Sequence, residues 1–136
     1  MAINVEKAVH KSKLAGFIID CQTPDLEGAA NFWAQALGLK IGSLPPDEET
    51  RYRALEDRQH GLHIEVQTVE HASRVHLDIE TDDIDAEVKR LEALGAKRVK
   101  QLDRWWVMEA PTGQRFCVVH AASPQFGELA SRWESG

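Results

Sequence analysis

Residues 74–83, RVHLDIETDD, set the chemical question. Alternation over this stretch predicts a strand with Arg74, His76, Asp78 and Glu80 on one face and Val75, Leu77 and Ile79 on the other. A strand that lines up an imidazole with carboxylates either turns that side to water or lines a polar cavity. The apolar side is expected to pack under a following helix. A second polar pair lies in GLHIEVQTV (61–69), where His63 stands two residues before Glu65 and so shares its face. Adjacent Trp105 and Trp106 must point to opposite faces if they lie on a strand. One is expected in the core, and the other either lines the cleft and stacks on a flat ligand or simply packs as well. Arg104 and Arg115 could receive a carboxylate or phosphate, or form surface ion pairs. There is no glycine-rich phosphate loop, no GxSxG and no nucleophile–base signature. Cys117 with His76 is a conceivable nucleophile, but nothing in the sequence activates it.

Two repeated sets of elements must position these side chains. AGFIIDCQ (15–22) reads as a strand, and residues 24–37 as a helix with the stripe Leu26, Ala29, Ala30, Trp33, Ala36, Leu37. Thr23 or Asp25 caps its start and Gly38 stops it. LKIGS gives a short strand, LPPDEET a loop, and YRALED and residues 61–69 two more strands. After the linker EHAS, strand 74–80 leads to a helix with the stripe Ile84, Val88, Leu91, Leu94, capped by Asp82 or Asp83 and ended by Gly95. RVKQL, RWWVMEA and QRFCVVH are three further strands, with PTG (111–113) turning into the last. FIIDCQTPDL (17–26) aligns with VHLDIETDDI (75–84) at an offset of 58, and GLHIEV (61–66) with GQRFCV (113–118) at 52. Asp20 thereby meets Asp78. The organisation is a mobile polar arm at 1–13, strand–helix–three-strand modules at 14–69 and 74–121, and a tail at 122–136 with a short helix. His10, His60 and His71 fall in the arm or loops, where solvation is expected.

Composition narrows the function classes. The chain has 136 residues, 43% hydrophobic and 28% charged, with a formal net charge of −6 and no basic face, which disfavours nucleic acid as a partner. No apolar run approaches the roughly 20 residues of a membrane span. MAINVEKAVHKSKLAG lacks the apolar core of a signal peptide. Two cysteines without CxxC spacing fit a reducing cytoplasm.

The doubled βαβββ pattern resembles the vicinal oxygen chelate superfamily, which includes glyoxalase I, extradiol dioxygenases, fosfomycin-modifying enzymes and bleomycin-binding proteins. PDLEGAANFWAQALGLK resembles its first helix. VHLDIETDDIDAEVKRLEALGAK resembles its second opening strand and helix, and APTGQRFCVV its closing hairpin. The resemblance covers residues 14–121 and is closest to stand-alone glyoxalase-like proteins. It implies an α+β fold of two tandem βαβββ modules whose sheets enclose a cleft, and a homodimer. It also implies four metal-ligand positions on the opening and closing strands, which fall on Ile18, Glu65, His76 and Cys117. Ile18 cannot bind a metal, which leaves His76, Glu65 and Cys117, with His63 or Asp78 as substitutes. A His76–Asp78 pair that merely fixes the strand is the competing expectation, as are Glu65 pairing with His63 or Arg115 and Cys117 as plain core. Three functions follow from the resemblance. One is a protein of the bleomycin-resistance type that holds a small organic molecule in the cleft without chemistry, using His63, Asp78, Trp105, Trp106, Arg104 and Arg115. Another is a lyase, isomerase or dioxygenase using a divalent ion (Zn, Ni, Mn or Fe) with Glu65 as base. The third is a catalytically silent regulatory domain.

Overall fold

The computed structural model describes residues 9–134. The elements, in chain order, are β1 (Val9–Cys21), α1 (Leu26–Leu37), β2 (Lys40–Ile41), β3 (Tyr52–Glu56), β4 (His63–Thr68), β5 (Arg74–Thr81), α2 (Ile84–Ala93), β6 (Lys97–Gln101), β7 (Trp106–Glu109), β8 (Arg115–His120), α3 (Phe126–Leu129) and β9 (Ser131–Glu134). The fold is α+β, and both halves follow the βαβββ order. Two compact units divide within β5, between Leu77 and Asp78, rather than in the EHAS linker. One is 15–77. The other joins 78–134 to the start of β1.

In the unit 15–77 the strand order is β2-β3-β4-β1. β1 runs parallel to β4, with Gly16↔His63, Ile18↔Glu65 and Asp20↔Gln67 in register. β4 is antiparallel to β3, with Tyr52↔Gln67 and Ala54↔Glu65. Strand alternation divides the two faces. One face gathers Ile19, Leu55, Ile64 and Val66 with Leu26 and Ala34 of α1, and Phe17 and Trp33 pack against this cluster. The apolar period of α1 thus meets the apolar period of three strands. Each fully buried aliphatic side chain contributes roughly 1.5–3 kcal/mol. Asp25 caps α1 by accepting from Gly28 N–H at 3.0 Å. Gly38 ends the helix at φ 69°, a left-handed conformation that favours glycine.

In the other unit β8, β7 and β6 follow β5 in order. β7 and β8 pair antiparallel with Val107↔Cys117 and Glu109↔Arg115, and β6 carries a bulge between Arg98 and Lys100. α2, capped by Asp83, covers Met108 and Val118 with Val88 and Leu91, flanked by Ile79, Trp106 and Phe116. Met108 is fully buried at the centre of this cluster. Met108→Ala should cost about 2–5 kcal/mol, read as a lowered denaturation midpoint in urea.

Three expectations are corrected here. Residues 9–13 are not an arm but the first part of β1, paired antiparallel with β9, Val9 opposite Glu134 and Ser12 opposite Ser131; residues 1–8 lie outside the described residues. His10 is not solvated: it is 4% exposed and lies 2.9 Å from the buried Glu87 carboxylate. The buried side of this strand is polar, so hydrophobic alternation gave no signal for it, and the tail contributes a strand as well as the expected one-turn α3. Finally, Val75 and Leu77 do not pack under α2 but are 58% and 51% exposed. Only Ile79, farther along β5, reaches the cluster under that helix.

Candidate functional site

The face of the 15–77 sheet turned away from α1 is polar, and its side chains are tied in pairs. Asp20 on β1 is 2% exposed, and its Oδ2 accepts from His76 Nδ1 at 2.7 Å. A carboxylate can only accept, so Nδ1 carries the proton. Arg74 Nε lies 3.7 Å from the same oxygen. The other oxygen, Oδ1, has no hydrogen-bond partner among the described residues. Glu65, 8% exposed, lies 3.1 Å from His63 Nε2. Gln67 Nε2 donates to Tyr52 Oη at 2.9 Å. Ile18, 3% exposed, stands in register with Glu65. On the opposite face, burial pushes the Cys21 thiol up, the Trp33 contact does not offset this, and the Asp20 carboxylate adds to it. Cys21 therefore stays a thiol at neutral pH.

His76 is thus bound to Asp20, a residue whose significance the sequence reading passed over. The repeat already made Asp20 the counterpart of Asp78, and that was the available signal. Glu65 pairs with His63, one of its two expected partners. Arg115 instead donates to Glu109 at 3.2 Å.

In the unit holding residues 78–134, Asp78 is 9% exposed, and one of its oxygens lies within 4.8 Å of the half-buried Cys117 Sγ. Glu80, 2% exposed, accepts from Ser123 Oγ at 2.9 Å and lies 3.7 Å from Lys13 Nζ. Trp106 packs against the cluster under α2, with the Arg98 guanidinium 5.1 Å from its ring centre. Trp105 is half-buried in the turn before β7, where its carbonyl accepts from Leu102 N–H at 2.9 Å. Arg104 in the same turn is exposed. A cavity of about 530 Å³ opens elsewhere, between the end of α1 and the β3–β4 turn, on a floor that includes Phe17 and Ile64. None of the predicted site residues lines it.

The four-position metal set does not fit this chain, because Ile18 brings no donor atom and Glu65 is engaged by His63. The donors that remain are His76 in the unit 15–77 and, in the other unit, Asp78 and Cys117. Asp78 and Cys117 pair a carboxylate with a thiol, which suits Zn²⁺ better than a hard cation such as Mg²⁺.

Among the described residues no helix is long and apolar enough to cross a membrane. Among curated proteins none matches the sequence. Among solved structures, the chain is similar to methylmalonyl-CoA epimerase from Mycobacterium tuberculosis, with a TM-score of 0.58 and 17% identity over 80% of this chain and 87% of that one. It is similar to the Streptomyces coelicolor methylmalonyl-CoA epimerase in complex with 2-nitronate-propionyl-CoA, at 0.54 and 16%, covering 80% and 96%. A glyoxalase/bleomycin resistance protein/dioxygenase superfamily member from Vibrio splendidus 12B01 gives 0.52 and 15%, covering 85% and 100%. At such identities the likeness concerns the fold. The sequence itself matches the glyoxalase-like domain over residues 16–119. With that match and the doubled βαβββ order, the chain belongs to the glyoxalase-like domain family of the vicinal oxygen chelate superfamily.

Proposed function

We propose that this protein binds a small organic molecule on the polar, helix-free face around Asp20 and His76, without the four-ligand metal site of its superfamily. The observation that carries the reading is the 2.7 Å bond between His76 Nδ1 and the buried Asp20. It fixes the imidazole through a carboxylate, while the position before it on the β1 face is an isoleucine. Glu65, His63, Gln67 and Tyr52 supply further polar groups on the same face. Support also comes from the fold, since one structural neighbour holds 2-nitronate-propionyl-CoA. Asp78 is a further candidate contact on β5. Arg104, Arg115 and Trp105 are weaker ones, because Arg115 already has a carboxylate and Trp105 and Arg104 lie in a turn. The homodimer and the cytoplasmic location belong to the same proposal, and sedimentation velocity reads the first.

A second reading is favoured by the proximity of Asp78 and Cys117, with His76 on the strand that carries Asp78. Under it, His76, Asp78 and Cys117 would hold a divalent ion and the protein would be a lyase, isomerase or dioxygenase with Glu65 as base. Elemental analysis of untagged protein purified without chelator separates the two. The binding reading expects no stoichiometric metal in wild type or in His76→Ala, and no stabilisation by Zn²⁺, Mn²⁺, Ni²⁺ or Fe²⁺. It expects instead that a compound from a metabolite screen raises the melting temperature of wild type but not of His76→Ala. A ligand at a hundred times its Kd stabilises by about 2.7 kcal/mol. Near-stoichiometric metal in wild type, lost in His76→Ala, would overturn the binding reading in favour of the metalloenzyme.

A further inference from the structure

We infer that Asp20 Oδ1 is a ligand-contact atom, and that the group it receives is a protonated amine. This rests on the proposed binding face and narrows the class of molecule that fits it. Asp20 is 2% exposed, yet only one of its two oxygens is used within the protein. Oδ2 accepts from His76 at 2.7 Å and faces Arg74 at 3.7 Å. Oδ1 is buried and receives no hydrogen bond from any described residue. An acceptor in that condition forfeits its hydration without recompense, so native structures seldom leave one.

No described side chain directs a donor to it. Gln67, in register with Asp20 across the β1–β4 ladder, turns its Nε2 to Tyr52 Oη and donates one N–H there at 2.9 Å. Ser73 Oγ accepts from Gln22 N–H at 2.9 Å, at the end of the strand beyond Asp20. With none of these donors aimed at Oδ1, a ligand donor completes Asp20. Electrostatics selects its type. Two buried carboxylates, Asp20 and Glu65, stand on this face with one half-exposed guanidinium, Arg74, and the imidazoles of His76 and His63. A carboxylate or phosphate brought to Oδ1 would set an acceptor against an acceptor and a negative charge against two others. An ammonium brings N–H donors together with the compensating charge, and hydrogen bonds between ionised partners are the strong ones.

The test compares benzylamine with benzoate, which share a ring and differ in the head group. Both are titrated into protein labelled at its histidines, and the His76 ring resonances are followed by NMR, assigned from a His76→Gln sample. Benzylamine is expected to shift the His76 signals of wild type, with benzoate at least tenfold weaker. D20N keeps the shape of the side chain but offers an N–H₂ where an oxygen stood, and should weaken benzylamine at least tenfold while circular dichroism stays unchanged. Benzoate binding as well as benzylamine, or benzylamine binding that ignores D20N, would overturn the amine assignment and leave a ligand site in place. If neither compound moves His76 in wild type, the assignment fails and the binding face of the proposed function fails with it. Should D20N not fold, the two probes on wild type decide alone.

Discussion

Replacing Glu87 by alanine is expected to lower stability by about 3–5 kcal/mol, the cost of breaking a buried ion pair from one side. Glu87 is fully buried on α2, yet it is no core hydrophobe. It accepts from Arg90 Nε at 2.7 Å and Nη2 at 2.8 Å, and lies 2.9 Å from His10 Nε2. Arg90 in turn stacks at 4.0 Å over Trp133, whose Nε1 donates to Ser12. Removing the carboxylate strands a guanidinium and an imidazole at once. The loss would read as a fall of roughly 10–20 °C in melting temperature. An unchanged melting curve would show that the network contributes nothing. The same group gives a pH signature. Burial pushes the Glu87 carboxyl up, but hydrogen bonds from Arg90, His10 and Ser12 outweigh it and hold the group below its ordinary value of 4.5. A depressed carboxyl stabilises the fold above its unfolded pKa, and that contribution is lost as pH falls through the folded value. Wild type should therefore lose stability as pH drops below about 4.5, and Glu87→Gln should flatten that limb of the curve.

The second large effect is expected at Gly16. A β-carbon built there would lie 1.9 Å from the His63 carbonyl oxygen, 2.6 Å from its carbon and 2.7 Å from its nitrogen. All three atoms are backbone, so no side chain can swing away. Gly16→Ala must push β4 off β1, at a cost at or above the upper end of the 1–3 kcal/mol typical of overpacking. The consequence reaches the site, because Gly16↔His63 heads the register that continues through Ile18↔Glu65 to Asp20↔Gln67. Chemical denaturation measures the first effect. Loss of ligand-induced stabilisation in a variant that still folds measures the second. A Gly16→Ala protein with wild-type stability and binding would mean that the strands tolerate separation.

The elements were legible because their periods are clean. α1 and α2 carry 3.6-residue stripes with aspartate caps and terminal glycines, and the 58- and 52-residue offsets exposed the doubling. The first part of β1 and all of β9 were not legible. Their inward positions are the buried His10 and Ser12 and the half-buried Trp133, which are held by hydrogen bonds to partners 77 and 121 residues away in sequence. No local pattern encodes such a choice. The site shows the same limit. His76 stood out as a lone imidazole on a polar strand face, and Glu65 with His63 followed from alternation. The acceptor for His76 did not, since Asp20 and Asp78 are equivalent in the repeat and only the fold decides between them. Val75 and Leu77 misled for the reason that alternation reports two faces and says nothing of how far the covering helix extends.

The pairing of β1 with β9 also bears on how the chain comes off the ribosome. Ser12 receives its bond from Trp133 across 121 residues, so the first part of β1, residues 9–12, waits until residues 131–134 are made before its β9 partner exists. During synthesis His10 and Ser12 stay wet and one edge of β1 stays open, a state prone to pairing with other chains. A stall or truncation before residue 131 would leave the nascent protein with that edge exposed, whatever the quality of its two apolar clusters.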